Sequence, residues 1–411
     1  MSSSSSESRP RLTILYHYFH PDDVVSARHF SDLAEGLAGL GWQVEAEPCN
    51  RGCRDETKIY RAKQEWNGVS IRRVWRPRFR QASGLGRILN AGWMIAAWSR
   101  LALRRGRRQS NIVLMGTDPI LSALTAGLLK TLRPRMRTVH WVFDLYPEAA
   151  VADGLLSADG SLVSTLGRWM AWAYRSCDLI VDIGPCMRQR LAVYGSRARA
   201  STLPPWALSE PSEPPAANPL VRQKLFGDAR LALMYSGNFG RAHEYREFLE
   251  LGRKLRGTGI ELGFAVRGNR VEELKAAVTA DDRNVRFLPF ASEAELTEHL
   301  AAADVHLASL RQEWTGLVVP SKFFGSLAAG RPVLFAGDPA SGIAAWIKEE
   351  QVGWTLEPAT LEATAESLRR LADAPNELQQ LQRRCHEVYQ RRFSKQRMIA
   401  EFDRELRQLL K

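Results

Sequence analysis

A chain of 411 residues that is 45% hydrophobic can bury more than one core, and because single cores stop growing at about 250–300 residues, two domains are expected. The formal net charge of +12 is unevenly placed: residues 1–205 hold 29 Lys and Arg against 17 Asp and Glu, and the second half balances. The five cysteines are scattered, and Cys49 and Cys53 have no Cys/His pair at ligand spacing beside them, which argues against a zinc site and for reduced cytosolic thiols. No window of about 18–20 residues is purely apolar, which argues against a transmembrane helix.

The opening "MSSSSSESRPR" is polar without an apolar segment, so residues 1–10 read as a disordered tail and not as a signal peptide. Apolar, β-branched runs follow at 12–19, 42–47, 69–75, 111–117, 138–146 and 178–184, separated by helical patterns over Ser26–Leu40, Leu85–Leu103 and Ser161–Tyr174. This alternation predicts an α/β domain over 11–205, with a parallel sheet and right-handed crossovers. Within it, arginine-rich runs at 71–81 and 104–108 flank an apolar stretch, 84–103, that carries Trp93 and Trp98. Such a helix suits an anionic membrane surface or a lipid-linked substrate, or else a buried position with solvated arginines at its ends. No nucleic-acid motif accompanies the charge, and no nucleic-acid partner is expected.

The proline-rich stretch 202–219 has no clear period and reads as a domain boundary. The alternation then restarts, with strands expected at 231–237, 261–268, 285–290, 304–310, 317–320, 332–337 and 353–358. These give a second parallel α/β domain over 206–388, followed by a C-terminal helix, 389–411, able to pack back on the first domain. Ligands in such sheets bind beyond the carboxyl ends of the strands.

Several strand ends hold chemically capable residues. "YSGNFGRAHEY" (235–245) turns at Gly237 and Gly240 and leads into a helix, as an anion-approaching turn or a plain tight one. "FAVRGNR" (264–270) and "FLPF" (287–290) end two strands with turns that could read a nucleobase edge or serve only as strand-to-helix turns. In "VVPSKFFGSLAAGRPVL" (318–334), Ser321 suits a helix N-cap and Lys322 falls in the first turn. A cation there costs a few tenths up to ~1 kcal/mol. A bound diphosphate reverses that sign.

In "HWVFDLYPEAAVADGLL" (140–156), Asp144 and Glu148 stand four residues apart about Tyr146-Pro147. They could orient or deprotonate an acceptor hydroxyl, or Glu148 could cap a helix while Asp144 faces water. In "YHYFHPDDVVSARHF" (16–30), His17, His20, Asp22, Asp23 and Arg28 form an acceptor-binding loop or a chelating set. No D-x-D motif occurs, and no metal or resident cofactor is expected.

Two α/β halves, a proline-rich linker, "DLYPE", "YSGNFG" and "VPSKFFGSLAAGRPVLF" resemble a family 4 glycosyltransferase with the GT-B fold, in which two Rossmann-like domains face each other across a cleft. The likeness is strongest to bacterial enzymes that build O-antigen, capsule and exopolysaccharide units, including fucosaminyl- and fucosyltransferase-like members. It runs from Leu12 onward, and the PSK…AAGRP element is its most specific part. It implies retaining transfer from a nucleotide sugar, a UDP-sugar by preference, to a glycan or polyprenyl-diphosphate-linked acceptor, by a cytoplasmic protein peripheral on the inner face of the plasma membrane. By position, Gly237, Asn238, Phe239 and Gly240 approach the donor phosphates. Arg267, Gly268, Asn269, Leu288, Pro289 and Phe290 lie near the base, and Ser321 and Lys322 lie by the diphosphate and ribose. Asp144 and Glu148 then handle the acceptor, with His17, His20, Arg28 and Tyr146 around it.

The chain departs from the family pattern twice. Two glutamates common in the family are Leu317 and Gly325 here, and its usual Arg…Lys pair leaves Arg241, His243 and Arg246 as substitutes. Two other readings stay open: a GT-B-fold sugar-nucleotide epimerase that needs no acceptor, and a degenerate, non-catalytic binding subunit.

Overall fold

The computed structural model describes residues 9–81, 83–104, 111–292 and 294–411. The expected tail thus lies almost wholly outside the described residues, as does most of the basic run 104–108. The chain divides into two compact units, Met1–Pro204 with Met398–Lys411, and Pro205–Arg397.

In the first unit, β1 (Arg11–Leu15), β2 (Gln43–Ala46), β3 (Lys63–Trp66), β4 (Val69–Arg72), β5 (Ile112–Met115), β6 (Arg137–Trp141), β7 (Leu179–Asp182) and β8 (Arg199–Thr202) form one sheet in the order β3-β4-β2-β1-β5-β6-β7-β8. Only β3 with β4 is antiparallel. The interior strands β5 (IVLM) and β7 (LIVD) are buried along their whole length, as strands covered on both faces must be. From β1 the chain goes to β2 on one side and later returns as β5 on the other. That reversal opens a crevice at the carboxyl ends of β1 and β5.

The helix α1 (Val25–Gly39) buries Ala27, Phe30, Leu33, Ala34 and Leu37, one face at helical spacing. The helix α2 (Gly84–Ser99) starts at Ser83, whose Oγ accepts from Gly86 N–H at 3.0 Å. Its inner face is Asn90, Ala91, Met94 and Trp98. Trp98 is fully buried and donates its indole N–H to Glu47 O at 2.8 Å. Of the two tryptophans only Trp93 is exposed, at 41%.

In the second unit, β9 (Leu231–Asn238), β10 (Ile260–Arg267), β11 (Val285–Phe287), β12 (Val305–Ser309), β13 (Val333–Ala336) and β14 (Gly353–Leu356) form an all-parallel sheet in the order β11-β10-β9-β12-β13-β14. Its reversal point lies between β9 and β12. Residues 317–320 form no strand. A single bridge joins Thr315 to Val318 before α11 (Lys322–Ala328), because Pro320 lacks the N–H a ladder needs. Arg331, in the tight link from α11 to β13, is buried and donates to the carbonyls of Ala301, Ala303, Ala329 and Pro215 at 2.7–2.9 Å.

The C-terminal segment is two helices, α14 (Pro375–Arg392) and α15 (Lys395–Gln408). From Met398 onward α15 belongs to the first unit, where Phe402 meets Trp141 edge-on at 4.8 Å and Asp403 accepts from Trp42 Nε1 at 2.6 Å.

Candidate active site

β9 and β10 pair over eight residues, up to Asn238 opposite Arg267, so the turns that follow them begin level. The turns are also tied together: Phe239 N–H donates to Arg267 O at 2.7 Å and Arg270 N–H to Phe239 O at 3.3 Å. Gly268 has φ +139°, and a Cβ there would stand 2.4 Å from Phe239 O, so only glycine fits. Beside it, the Arg267 guanidinium lies 4.4 Å from the Phe290 ring centroid, and Asn269, Pro289 and Phe290 are exposed. This is a flat, partly aromatic ledge. Phe239 differs from expectation. Its ring is fully buried against Tyr235 and His243, so its side chain is core. Leu288 also turns inward, over Gly263.

β9 and β12 pair at only two positions and then separate. Lys322 lies against the end of β9, its Nζ 3.1 Å from Asn238 O and 5.0 Å from the Tyr235 ring centroid. Gly237, at φ +125°, makes this approach possible: a Cβ there would stand 3.0 Å from Lys322 Cε. Residues 84 apart in sequence thus converge on one ammonium group. It meets a carbonyl and a π face, no carboxylate among the described residues pairs with it, and burial lowers its pKa to about 8. Ser321 is the exposed N-cap of α11, but its hydroxyl accepts no helix N–H.

The glycine turn does not run directly into a helix. Gly240 N–H is taken by His243 Nδ1 at 3.1 Å, and α8 (Arg246–Lys254) starts later. Glu244 Oε1 already accepts from Tyr245 N–H and Arg246 N–H at 2.8 and 3.2 Å, so a carboxylate fills the place expected for an anion. His243 is no substitute cation. Burial, with the charge of Lys322, pulls its pKa to about 3.

In the first unit, the expected pair Asp144 and Glu148 is not a pair. Glu148 opens α4 (Glu148–Ala152) and its Oε1 accepts from the Tyr194 hydroxyl. Asp144 follows β6 and lies near Asp118 instead. Burial, then the charge of Asp118, raises its pKa to about 6. Asp118 also binds His17, Nδ1 to Oδ1 at 3.1 Å, across the β1–β5 crevice. Burial opposes charge on His17, but Asp118 and Cys49 overcome it and the pKa rises to about 9. His20 stacks on Trp66 at 4.3 Å, while Arg28 on α1 and Tyr146 after β6 are partly buried. Asp22 accepts from Cys53 N–H and the Tyr60 hydroxyl, both at 3.1 Å. Among the described residues no group of three His, Cys, Asp or Glu could hold a metal ion. Asp118 escaped the sequence reading; its signal was an Asp-Pro directly after the apolar run 111–117.

Residues 26–206 match the family "Glycosyl transferase 4-like domain" and residues 230–374 match "Glycosyl transferases group 1". Both halves thus match glycosyltransferase domain families, and the fold is the GT-B fold. It is 28% identical over 255 residues to the probable glycosyltransferase WbjE of Pseudomonas aeruginosa, an alignment covering 61% of this chain and 63% of that protein. The fold is similar to that of sucrose-phosphate synthase from Thermosynechococcus elongatus, with TM-score 0.71, 15% identity and 98% and 99% of the two chains covered. It is also similar to Anabaena HepE in complex with UDP-glucose, with TM-score 0.64, 13% identity and 97% and 99% covered. In this chain the two family glutamate positions differ in kind. Leu317 is buried, whereas a Cβ at Gly325 would meet no atom within 4 Å.

Proposed function

We propose that the protein is a retaining glycosyltransferase that moves a sugar from a nucleotide sugar, a UDP-sugar, to a glycan or lipid-linked acceptor in cell-surface polysaccharide assembly. The observation that carries this reading is Lys322, a desolvated ammonium held against a glycine turn with no carboxylate among the described residues to meet it. The UDP-glucose complex of the structural neighbour HepE supports a UDP donor.

In the reaction the bond from the anomeric carbon to the diphosphate breaks, and a bond from that carbon to the acceptor oxygen forms on the same face. The acceptor proton passes to the departing phosphate. Lys322 meets the charge that grows on the diphosphate, and this differential stabilisation is worth a few kcal/mol in the transition state. The ledge of Arg267 and Phe290 takes the base. Asp144 orients the acceptor hydroxyl, with Asp118 nearby and held by His17. A thermal-shift panel of UDP-, GDP- and dTDP-sugars tests the donor. Product formed without acceptor, or no shift with any nucleotide sugar, removes the reading.

We also assign the first unit to an anionic membrane surface, which places the protein on the cytoplasmic face of the plasma membrane. Leu85, Ile88, Leu89 and Trp93 are exposed on one face of α2, beside the exposed Arg78, Arg80, Arg87 and Arg100. No helix among the described residues is long and apolar enough to cross a membrane. Flotation with vesicles containing phosphatidylglycerol is expected to capture the protein at low salt. A combined Leu85→Ser, Ile88→Ser, Trp93→Ser variant is expected to stay in the pellet.

A further inference from the structure

A cleft of about 260 Å³ opens in the second unit between β14, α13 (Leu361–Ala372) and α14. Its lining includes Trp354, Ser367, Arg370, Glu377, Gln380 and Arg384. Trp354 stands opposite Leu334, near the start of β14, and α13 runs back from the carboxyl end of that strand. The cleft therefore lies toward the amino end of the sheet, whereas the turns after β9 and β10 follow carboxyl ends. Two strands, β12 and β13, also stand between β9 and β14. The cleft is thus separate from the donor turns. Trp354 is half-buried, packed on one side against the core of the second unit, and its remaining surface lines the cleft.

Other arginines of these two helices are paired: Arg369 with Glu362 at 3.4 Å, Arg391 with Glu350, and Arg392 with Glu349 at 3.0 Å. The two that line the cleft are not. Arg370 has no ion pair or side-chain hydrogen bond among the described residues, and Arg384 meets the neutral Gln351, Nη1 to Oε1 at 3.1 Å. Glu377 lines the same cleft and forms no ion pair with either among the described residues. Two guanidinium forks match one carboxylate or phosphate. A bare anion, however, would face Glu377 as a like charge. Glu377 and Gln380 are suited to hydroxyl groups, and Ser367 Oγ, which donates to Ala363 O at 2.8 Å, keeps its lone pairs to accept from one. The flat apolar face of the indole fits the C–H face of a pyranose ring. The volume falls below the roughly 300–1,000 Å³ of sites for drug-sized ligands, which suits a single ring and not a nucleotide.

We propose that this cleft is a second sugar site, which takes a hexose bearing one acidic group. Arg370 and Arg384 clamp the acid, Trp354 stacks on the ring, and Glu377, Gln380 and Ser367 hold its hydroxyls. The acid is either the carboxylate of a uronic acid or the phosphate of a sugar phosphate. The site is independent of the donor and acceptor assignments made above.

The test is calorimetric titration of the full chain, in saturating UDP, with D-glucuronate, D-glucose 6-phosphate, D-glucose and inorganic phosphate. At least one of the two sugar acids is expected to bind, and at least tenfold more tightly than D-glucose or inorganic phosphate. Tighter D-glucuronate assigns the carboxylate, and tighter D-glucose 6-phosphate assigns the phosphate. The double variant Arg370→Gln, Arg384→Gln is expected to weaken that binding at least tenfold, and Trp354→Leu several-fold. The proposal is overturned if neither sugar acid binds, if D-glucose or inorganic phosphate binds as tightly, or if the double variant binds as wild type does. Both arginines are exposed, so the double variant decides even where Trp354→Leu does not fold. A UDP titration, run first on the same proteins, judges the donor reading separately. If UDP does not bind, that reading fails, and the variants still show whether the sugar acid sits in this cleft.

Discussion

Gly237→Ala removes no charge and no hydrogen bond, yet it is expected to cripple donor binding. The backbone at φ +125° costs an L-residue roughly 1–3 kcal/mol of stability. The added Cβ would stand 3.0 Å from Lys322 Cε, a few tenths of an ångström inside normal contact, and 3.6 Å from Nζ, an ordinary contact. The lysine stem is flexible, so it yields, and the ammonium leaves its place by Asn238 O. A hydrogen bond from a charged donor is worth about 1.5–3 kcal/mol, which is roughly 10- to 150-fold in affinity. Lys322→Met is expected to lose the same amount. The decisive measurement is the double-mutant cycle, read as UDP affinity by calorimetry, with urea midpoints to separate stability from binding. If Gly237 acts by making room for Lys322, the double variant binds no worse than Lys322→Met alone. Losses that add would refute that argument, because each residue would then contribute independently.

The remaining predictions concern charge and burial. Lys322 loses its proton as pH rises through about 8, so UDP affinity in wild type should hold below pH 7 and fall above 8, while Lys322→Met stays flat over the same range. Asp144, with its pKa raised to about 6, destabilises the folded chain once ionised, so stability should fall as pH rises from about 4 to 6. Asp144→Asn should accordingly gain at most ~3 kcal/mol at pH 7.5, at 1.36 kcal/mol per pKa unit, and lose most of its kcat; wild-type kcat should itself decline below pH 6. Arg331→Met leaves four buried carbonyls unpaired and should cost roughly 2–5 kcal/mol by urea unfolding, with UDP affinity unchanged per folded molecule.

The fold was legible wherever strands are buried on both faces. Runs such as 111–117 and 332–337 have no other place to go in an α/β domain. What escaped were the edges. β3 (KQEW) and β8 (RAST) are polar and half exposed, and neither carries the apolar run of a central strand. Yet Asn67-Gly68, both at positive φ, was a readable hairpin turn between β3 and β4. At the site, Lys322 was legible because a first-turn cation breaks a local rule. Its partner Gly237 was legible only as a turn residue, since nothing local shows that a lysine far along the chain needs its missing side chain. Asp144 and Glu148 were joined because they are near in sequence. The tertiary structure gives one to Asp118 and the other to Tyr194, and neither partner leaves a trace at a distance of four residues. The second half of the PSK…AAGRP element proved to be architecture, since Arg331 ties together loops that no periodicity connects.

Helix α15 has a bearing on how the protein is made. Ile399, Phe402 and Asp403 are components of the first unit, packed on Gly36, Trp141 and Trp42, yet they are synthesised after every strand of the second unit. At about 5–20 residues per second, a ribosome spends roughly 10–40 s between Pro204 and Met398. Through that interval the first unit waits with the seat of α15 uncovered, while the second unit already has all its strands. The order of folding is thereby inverted: the half that leaves the ribosome first is the last to be completed, and a truncation near residue 397 damages the beginning of the chain.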